Sequence, residues 1–410
     1  MIAGIPIAQL VEQFGTPAYV YDLSVIERRV ADLKSFDTIR YAQKALSNVA
    51  ILDRLRKLDV VVDAVSAGEI TRALRAGFNA QSTPQGIVYT ADILDQASLE
   101  LILKHNIPVN VGSPDMIDQL GSVAPGRNIT LRINPGFGHG HSQKTNTGGP
   151  QSKHGIWHDQ VNDCLLRADR NGLVVTGIHM HIGSGTDLEH LAQVCGALEK
   201  ICLTVGRTVT SISAGGGLPV PYRATQTYVD IEKYFELWNA VRNRLQSNFG
   251  HRIELEIEPG RYLVAESGFL VAEIRAIKAM GENVFYLLDA GFNDLARPIL
   301  YGAYHPISIC RRGSNASNRL QEVIVGGPLC ESGDIFTQED GGYVAKRQLP
   351  TAEVGDYLIL EVAGAYGFVM SSNYNSKFRA PEVMVEKGIA KLIRRRETAD
   401  DLVALETIPE

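Results

Sequence analysis

Three residue types that could act together on one small molecule are spread along this chain of 410 residues. Lys44 carries a primary amine, which can attack a carbonyl carbon and hold it covalently. Gly215, Gly216 and Gly217 have no side chains, so the backbone there can approach an anion closely. Glu258, in the sequence Glu-Pro-Gly-Arg, carries a carboxylate. Taken singly, Lys44 could equally be a surface charge or a salt-bridge partner, and the glycines could form a tight turn.

The elements that would position these residues alternate between β-rich and helical segments. Runs rich in β-branched residues predict eight strands before residue 261, at Ile39–Ala45, Val60–Ser66, Ile87–Thr90, Pro108–Gly112, Ile129–Asn134, Val174–Ile182, Val209–Ala214 and Arg252–Glu258. Helical spacing of apolar residues predicts helices at Asn48–Leu58, Gly68–Ala76, Gln96–His105 and Leu188–Val205. This order predicts an α/β fold, a (β/α)8 barrel of the TIM type. A doubly wound sheet is the alternative, although six strands would suit it better.

The ends of the predicted strands gather polar residues. In a (β/α)8 barrel the active site lies where the strands lead into the following loops. The first strand would end at Lys44, the sixth in His181-Ile-Gly-Ser184, the seventh in the three glycines and the eighth at Glu258. One mouth would then offer an amine for an aldehyde, glycines for a phosphate and a carboxylate for a ring nitrogen. These are the three groups that hold pyridoxal 5'-phosphate, so the sequence predicts that cofactor.

Alternation along the first and eighth strands predicts a charged barrel interior. Glu254, Glu256 and Glu258 share one face of their strand, and Arg40 and Lys44 share a face of the other. Closure of the barrel would make these strands neighbours, so inward cations would face inward anions. Residues expected to pair inside the barrel for stability are Arg40, Arg132, Glu254 and Glu256, with His179 joining them.

The sequence after Ser267 has a different pattern of predicted elements. Strands without long helices between them are predicted at Phe269–Ile277, Val284–Ala290, Glu322–Val325, Tyr357–Val362 and Glu382–Leu392. Ala18–Tyr21 is also strand-like and could pair with this region. We therefore predict a cofactor-binding barrel at residues 25–267 and a mainly-β domain formed by residues 1–24 plus 268–410.

Composition excludes several classes of protein. A content of 45% hydrophobic and 21% charged residues is typical of globular chains, and the net charge of −6 offers no basic excess for nucleic acid. No apolar run is long enough to span a bilayer, and the first basic residue, Arg28, comes too late for a secretory signal. The five cysteines lack the spacing of a disulfide framework or zinc site. We expect a cytoplasmic protein that binds neither nucleic acid nor membrane.

Four histidines lie close together, at positions 139, 141, 154 and 158. Such a cluster could bind a metal. The stretch around it is rich in glycine and contains no cysteine, so we predict a loop and no metal site.

Longer motifs connect these features. The chain contains YAQKA, DAVSAGEI, NPGFGHGHSQKTNTGG, HMHIGSG, SAGGGL, EPGR, DAGFNDLARPILYGAYH, GPLCESGD and GAYGFVMSSNYNS. Through these motifs it resembles the bacterial meso-diaminopimelate decarboxylase family, in the alanine-racemase-like (fold-type III) class of pyridoxal-phosphate enzymes. The similarity extends over nearly the whole chain, and the family's barrel followed by a β domain agrees with the predicted order.

The resemblance implies a role for each matching residue. Cofactor contacts would come from Lys44, Asp63, His181, Ser184, Gly217, Glu258, Gly260, Arg261 and Tyr366. Substrate contacts would come from Arg261, Arg297, Tyr301, Glu331 and Tyr366. Lys44, His181 and Cys330 would be catalytic: Lys44 would hold the cofactor aldehyde, His181 would stack on its ring and Cys330 would donate a proton. By themselves the residues predict less, namely a buried hydrophobic role for Cys330, packing for Tyr366 and a hydrogen-bonded lumen position for His181.

The activity implied by the resemblance is decarboxylation of meso-2,6-diaminopimelate to L-lysine, the last step of lysine biosynthesis. Cys330 and Glu331 would reach the site from a second subunit, which implies a homodimer with shared active sites and a β domain that contributes substrate and dimer contacts. The alternatives are a decarboxylase of a D-configured diamino acid such as D-ornithine or D-lysine, and a non-catalytic pyridoxal-phosphate carrier. A racemase is disfavoured, because Glu258 suits a full electron sink.

Overall fold

The computed structural model describes residues 1–138, 148–181, 188–313, 319–339 and 341–409, with only the backbone at 188 and 189. The chain divides into two compact units. The β unit comprises Met1–Arg28, Val220–Thr227 and Leu263–Glu410, and the barrel unit comprises Arg29–Pro219 and Tyr228–Tyr262. No helix among the described residues is long and apolar enough to cross a membrane.

In chain order the described strands are β1 (Ala18–Asp22), β2 (Thr38–Ala42), β3 (Val61–Ala64), β4 (Ile87–Ala91), β5 (Val109–Val111), β6 (Asn128–Asn134), β7 (Ile156–Trp157), β8 (Val174–Met180), β9 (Ser211–Ser213), β10 (Glu254–Ile257), β11 (Gly268–Met280), β12 (Asn283–Leu288), β13 (Ile307–Cys310), β14 (Leu320–Gly326), β15 (Arg347–Pro350), β16 (Tyr357–Leu360), β17 (Glu382–Glu386) and β18 (Ile389–Arg394). The described α-helices are α1 (Ile7–Phe14), α2 (Leu23–Ala31), α3 (Val49–Arg56), α4 (Ala67–Arg75), α5 (Gln96–His105), α6 (Pro114–Val123), α7 (Val161–Arg170), α8 (Leu188–Val205), α9 (Ile231–Phe249), α10 (Arg261–Val264), α11 (Arg297–Tyr301) and α12 (Ala399–Val403).

The barrel unit contains a closed ring of eight parallel strands. The strands neighbour one another in the order β2, β3, β4, β5, β6, β8, β9 and β10, and β10 pairs with β2 to close the ring. β7 is a two-residue addition beside β6. The predicted α/β class and (β/α)8 barrel are therefore confirmed. The doubly wound alternative is wrong, because an open sheet would leave two edge strands and this ring leaves none.

Local sequence explains where the barrel helices begin. Asn48, Ser66, Asp95 and Asp230 precede helices, and their side-chain oxygens accept hydrogen bonds from backbone N–H groups in the first turn. These caps satisfy donors that have no partner inside the helix. The predicted helices at Gln96–His105 and Leu188–Val205 have the bounds expected from apolar spacing.

The β unit contains a nine-stranded sheet whose main path runs β15-β14-β12-β11-β1-β17-β18. β1 lies between β11, which is antiparallel to it, and β17, which is parallel. The predicted pairing of the N-terminal strand with the C-terminal β region is thus confirmed. Val20, Val271, Ile359 and Val383 lie in a buried apolar core that joins these strands.

Three strand predictions need correction. The first barrel strand ends at Ala42, and Lys44 lies in a 3-10 turn over Gln43–Ala45. The single strand predicted at Glu382–Leu392 is a hairpin of β17 and β18, because Lys387 and Gly388 take positive φ angles of 51° and 75° and reverse the chain. β13 and β15 were not predicted, since neither shows a long β-branched run.

Candidate active site

The C-terminal ends of the barrel strands bring together residues that are far apart in sequence. Lys44 follows β2, His181 follows β8, the three glycines follow β9, and Glu258 follows β10. Asp63 lies on β3. Because all eight strands are parallel, these ends share one mouth of the ring, which is where barrel enzymes place their chemistry.

Glu258 is a buried carboxylate with two side-chain partners. The ring nitrogen Nε2 of His179 donates to Oε2 at 2.6 Å, and the hydroxyl of Ser213 donates to Oε1 at 2.9 Å. Desolvation by itself would raise the pKa of Glu258, but the charge and hydrogen bond of His179, the Ser213 hydrogen bond and the charge of Arg40 bring it down to about 2. Glu258 therefore stays ionised at neutral pH.

The glycine turn is linked to both histidine and glutamate. The Gly215 N–H donates to Ser213 Oγ at 3.1 Å, and the Gly216 N–H donates to His181 Nδ1 at 3.1 Å. A Cβ at Gly216 would lie 2.4 Å from the carbonyl oxygen of Glu258, so only glycine fits there. Gly217 has a φ of +100°, which also favours glycine. The turn thus presents backbone directly to the barrel mouth.

The hydrogen bond from Gly216 determines which ring nitrogen of His181 carries the proton. A backbone N–H can only donate, so Nδ1 accepts and the neutral ring carries its proton on Nε2. Burial, followed by the charges of Arg132, Lys44 and His179, holds the pKa of His181 well below its usual value, and Glu258 opposes this only in part. His181 is therefore a neutral imidazole at physiological pH.

Asp63 and Lys44 complete the mouth. Burial and then repulsion by Glu258 raise the pKa of Asp63 well above its usual value, although Thr90 and Lys44 partly offset this. Its Oδ1 is buried without a hydrogen-bond partner. Lys44 is exposed, and its positive charge acts on Asp63, Glu69 and His181. The two mouth carboxylates are thus shifted in opposite directions: the pKa of Glu258 is lowered and that of Asp63 is raised.

These residues suit pyridoxal phosphate on chemical grounds. The mouth holds an exposed amine, an ionised buried carboxylate, a neutral imidazole and a glycine turn that side chains would fill. The orphaned Asp63 oxygen is a further polar atom that a bound group could satisfy. Gly260 packs closely against β2, where an added Cβ would lie 3.3 Å from Ala42. Arg261 follows as the first residue of α10.

Deeper in the ring, the predicted pairing of inward charges is confirmed for Arg40 and Glu256. Arg40 donates through Nε and Nη2 to the two oxygens of Glu256, both at 2.9 Å, and through Nη1 to the Gln85 carbonyl at 3.0 Å. Glu254 accepts a hydrogen bond from Thr38. This layer borders a polar cavity of about 500 Å³ at the N-terminal ends of the strands. The charges of this layer lie toward the N-terminal ends of the strands, away from the mouth.

The β unit carries the remaining residues. Arg297 begins α11 and is buried, whereas Tyr301 ends it and is exposed. Tyr366 is half-buried with a φ of 58°, a conformation unusual for tyrosine. Glu331 is exposed.

Cys330 differs from what its residue type alone suggested. It is exposed, so the expectation of a buried hydrophobic residue is wrong. Its backbone N–H donates to Asn375 Oδ1 at 2.8 Å, which anchors the loop and leaves the thiol at the surface of this chain.

Other predicted positions divide between described and undescribed residues. Ser184, His139 and His141 lie outside the described residues. His154 contacts Asp92 at 2.6 Å and His158 contacts Asp159 at 2.9 Å. In the part of the chain that the structure describes, no three His, Cys, Asp or Glu residues cluster as a metal site.

Sequence reasoning missed three residues that contact these groups. Ser213 joins Glu258 to the glycine turn, and its position last on β9 was the available signal. Tyr222 and His305 both contact Arg297. No spacing rule indicated them, because they are 75 and 8 residues from Arg297 in the chain.

Comparison with known proteins identifies the family of the barrel. The family description "Pyridoxal-dependent decarboxylase, pyridoxal binding domain" matches residues 23–265. That range contains the closed barrel and every mouth residue described above. The chain is therefore a pyridoxal-dependent decarboxylase of the barrel type.

Within that class the similarity is more specific. The chain is 54% identical to diaminopimelate decarboxylase from Escherichia coli K12 over 98% of its own length and 96% of the relative's. A crystal structure of diaminopimelate decarboxylase superposes with a TM-score of 0.94 at 54% identity, covering 97% and 95% of the two chains. The enzyme from Helicobacter pylori complexed with L-lysine gives a TM-score of 0.87 at 32% identity, covering 98% and 99%. The chain belongs to the diaminopimelate decarboxylase family, as its motifs predicted.

Proposed function

We propose that this chain removes one carboxylate from meso-2,6-diaminopimelate and yields L-lysine and carbon dioxide, the last step of lysine biosynthesis. One observation carries the reaction type: the buried Glu258 is held ionised next to a glycine turn in a pyridoxal-binding barrel. The substrate rests on near full-length similarity to diaminopimelate decarboxylases, one of which was solved with L-lysine.

Barrel residues, together with Tyr366, would hold the cofactor. Lys44 would bind its aldehyde, and Gly217, Gly260 and Tyr366 would bind its phosphate, with Asp63 and Ser184 expected nearby. When bound, pyridoxal phosphate accepts the electron pair left at the reacting carbon as carbon dioxide departs. This division of labour leaves binding and electrostatics to the protein.

Glu258 and His181 adjust that electron acceptance. The ionised Glu258 would stabilise a proton on the ring nitrogen of the bound cofactor, and a protonated ring would attract electrons more strongly. His181 would contact the ring as a neutral imidazole, so it would add no second positive charge to compete with that proton. The lowered pKa values of both side chains thus favour a protonated ring nitrogen.

Substrate recognition uses both ends of the diacid. Arg261, Arg297 and Tyr301 bind the carboxylate that is retained, since a guanidinium pairs with a carboxylate through two parallel hydrogen bonds. Glu331 pairs with the distal ammonium, and Cys330 supplies a proton to the reacting carbon. Both of these residues act from the neighbouring subunit.

The active unit in this proposal is a homodimer with shared sites, located in the cytoplasm. Residues 25–267 form the cofactor-binding barrel. Residues 1–24 plus 268–410 contribute the substrate and dimer contacts. The exposed positions of Cys330 and Glu331 in the single chain support this arrangement, because surface side chains are available to a partner.

The substrate assignment is tested by carbon dioxide release from purified protein supplied with pyridoxal phosphate. We expect release from meso-diaminopimelate and at least about a hundredfold less from D-lysine, because D-lysine leaves the arginines without a second carboxylate. Release from D-lysine or D-ornithine alone would overturn the assignment in favour of the alternative decarboxylase.

The cofactor assignment is tested at Lys44. Borohydride reduction followed by peptide mass mapping should find the modified lysine at position 44. Lys44→Ala should lower decarboxylation at least about a thousandfold, because the covalent attachment is lost. Lys57→Ala is the control, since Lys57 is an exposed lysine paired with Asp53 on α3. Modification of another lysine, or full activity of Lys44→Ala, would contradict the assignment.

A further inference from the structure

A buried polar cluster in the β unit surrounds Arg297. Its Nη1 donates to the Tyr222 hydroxyl oxygen at 3.0 Å and lies 3.0 Å from His305 Nε2. His305 Nδ1 in turn lies 2.9 Å from the backbone carbonyl oxygen of Glu361. Arg297 and His305 are 6% and 2% exposed, so these contacts exclude most solvent.

The contacts assign every proton on His305. A carbonyl oxygen can only accept, so Nδ1 carries a proton and donates it to Glu361. A guanidinium can only donate, so Nε2 is the unprotonated nitrogen and accepts from Arg297. His305 is therefore neutral and held as one tautomer.

Tyr222 fixes the same guanidinium from a second direction. Its ring lies 4.9 Å from the central carbon of Arg297 and packs edge-on against His305 at 5.6 Å. Its hydroxyl oxygen accepts the other Nη1 proton. Both Nη1 protons are thus used by neutral acceptors, which orient the group without cancelling its positive charge.

We propose that His305, together with Tyr222, is a positioning residue that sets Arg297 to bind the retained carboxylate of the substrate. The two contacts at Nη1 fix the plane and direction of the guanidinium, which a carboxylate needs for paired hydrogen bonds. His305 and Tyr222 thereby set the preference for a diacid over a substrate with one carboxylate. This inference rests on the proposed function, in which Arg297 is a substrate contact.

Two variants of His305 separate hydrogen bonding from packing. His305→Leu removes the acceptor, whereas His305→Gln places an amide oxygen near the former Nε2. We expect His305→Leu to raise the KM for meso-diaminopimelate about tenfold or more and to change kcat by less than about threefold, because the lost contact orients a binding group. His305→Gln should recover most of the KM, and Tyr222→Phe should raise it by a smaller factor than Leu.

The matched control is Tyr357→Phe. Tyr357 lies in the same unit, where its hydroxyl oxygen accepts from Arg312 Nε at 2.7 Å and its ring lies 4.6 Å from that guanidinium. Tyr357→Phe therefore removes the same kind of contact from an arginine outside the proposed site. It should leave KM unchanged.

Binding of two ligands to the holoenzyme gives a readout that does not need turnover. L-Lysine keeps the carboxylate that Arg297 would bind, and cadaverine, the corresponding diamine, has none. Calorimetric titration should show His305→Leu weakening L-lysine about tenfold and leaving cadaverine unchanged.

Each outcome is decisive. Unchanged KM and L-lysine affinity in a folded His305→Leu, or a His305→Gln no better than Leu, would overturn the positioning role. Equal weakening of L-lysine and cadaverine would assign His305 to general packing instead. If His305→Leu fails to fold, His305→Gln and Tyr222→Phe decide by the same titrations. Failure of the wild-type enzyme to decarboxylate meso-diaminopimelate would instead refute the proposed function, while the lysine and cadaverine titrations would still report on Arg297.

Discussion

A few short hydrogen bonds determine the protonation of His181 and Glu258 in the barrel mouth. Gly216 makes His181 an acceptor at Nδ1, while His179 and Ser213 hold Glu258 as a carboxylate. The pKa of Asp63 is raised instead, because burial and the nearby Glu258 charge both oppose its ionisation. The two carboxylates of a single mouth thus have pKa values that their surroundings shift in opposite directions.

His179 controls the state of Glu258. In His179→Phe the desolvation that raises the pKa of Glu258 remains and the largest opposing contact is lost, so that pKa rises. Glu258 then binds a proton at higher pH, and the acid limb of the kcat profile should move upward by about one to two pH units. The visible absorbance of bound cofactor should shift over the same range.

The control for this prediction is His251→Gln. His251 contacts only the Val209 carbonyl among its described hydrogen bonds, at 2.8 Å, and lies at the N-terminal side of β10. Its replacement should leave the profile unchanged. Wild-type acid behaviour and absorbance in a folded His179→Phe would refute the role assigned to His179.

At the scale of elements, ring closure creates the charged interior. β10 and β2 are distant in sequence, and their pairing brings Arg40 and Glu256 within bidentate reach. The two charges compensate each other across neighbouring strands, and Glu258 and Asp63 also act on Arg40. The closing strands of the barrel are therefore also the source of its buried ion pair.

Breaking that pair on one side should be costly. Arg40→Met leaves Glu256 without its cation and should lower the free energy of unfolding, measured in urea, by about 3 kcal/mol. Arg40→Met with Glu256→Leu should lose less than the sum of the two single variants, because no lone charge remains. Arg167→Met, which breaks a more exposed pair with Asp118, should lower the free energy of unfolding far less than Arg40→Met does. Strict additivity of the two lumen variants would contradict the coupling.

At the scale of the whole molecule, the proposed roles are divided between two units and two subunits. Lys44 belongs to the barrel unit, and Cys330 and Glu331 belong to the β unit. A site that takes Lys44 from one chain and Cys330 from another can be tested by mixing inactive variants, because each heterodimer would contain one intact site.

Equal amounts of Lys44→Ala and Cys330→Ala, unfolded and refolded together, should recover about a quarter of wild-type activity, since half the dimers are mixed and half their sites are intact. Each variant refolded alone is the control and should stay near its own low activity. No recovery from a mixture that sedimentation shows to contain dimers would refute shared sites.

The positions of the eight barrel strands followed from the sequence because buried parallel strands need continuous apolar, β-branched runs, and such runs are local. The candidate residues Lys44, Gly217 and Glu258 followed from their types and their places at strand ends. The predicted barrel and family were confirmed on that basis.

Tertiary structure alone decided which side chains meet and which protons they hold. Ser213 reaches Glu258 across 45 residues, and Tyr222 reaches Arg297 across 75. Local sequence carries no record of such contacts, because they depend on ring closure and on the Val220–Thr227 segment joining the β unit. Residue type and local pattern therefore determined the strands and the chemistry on offer, whereas burial and long-range hydrogen bonds determined its charge state.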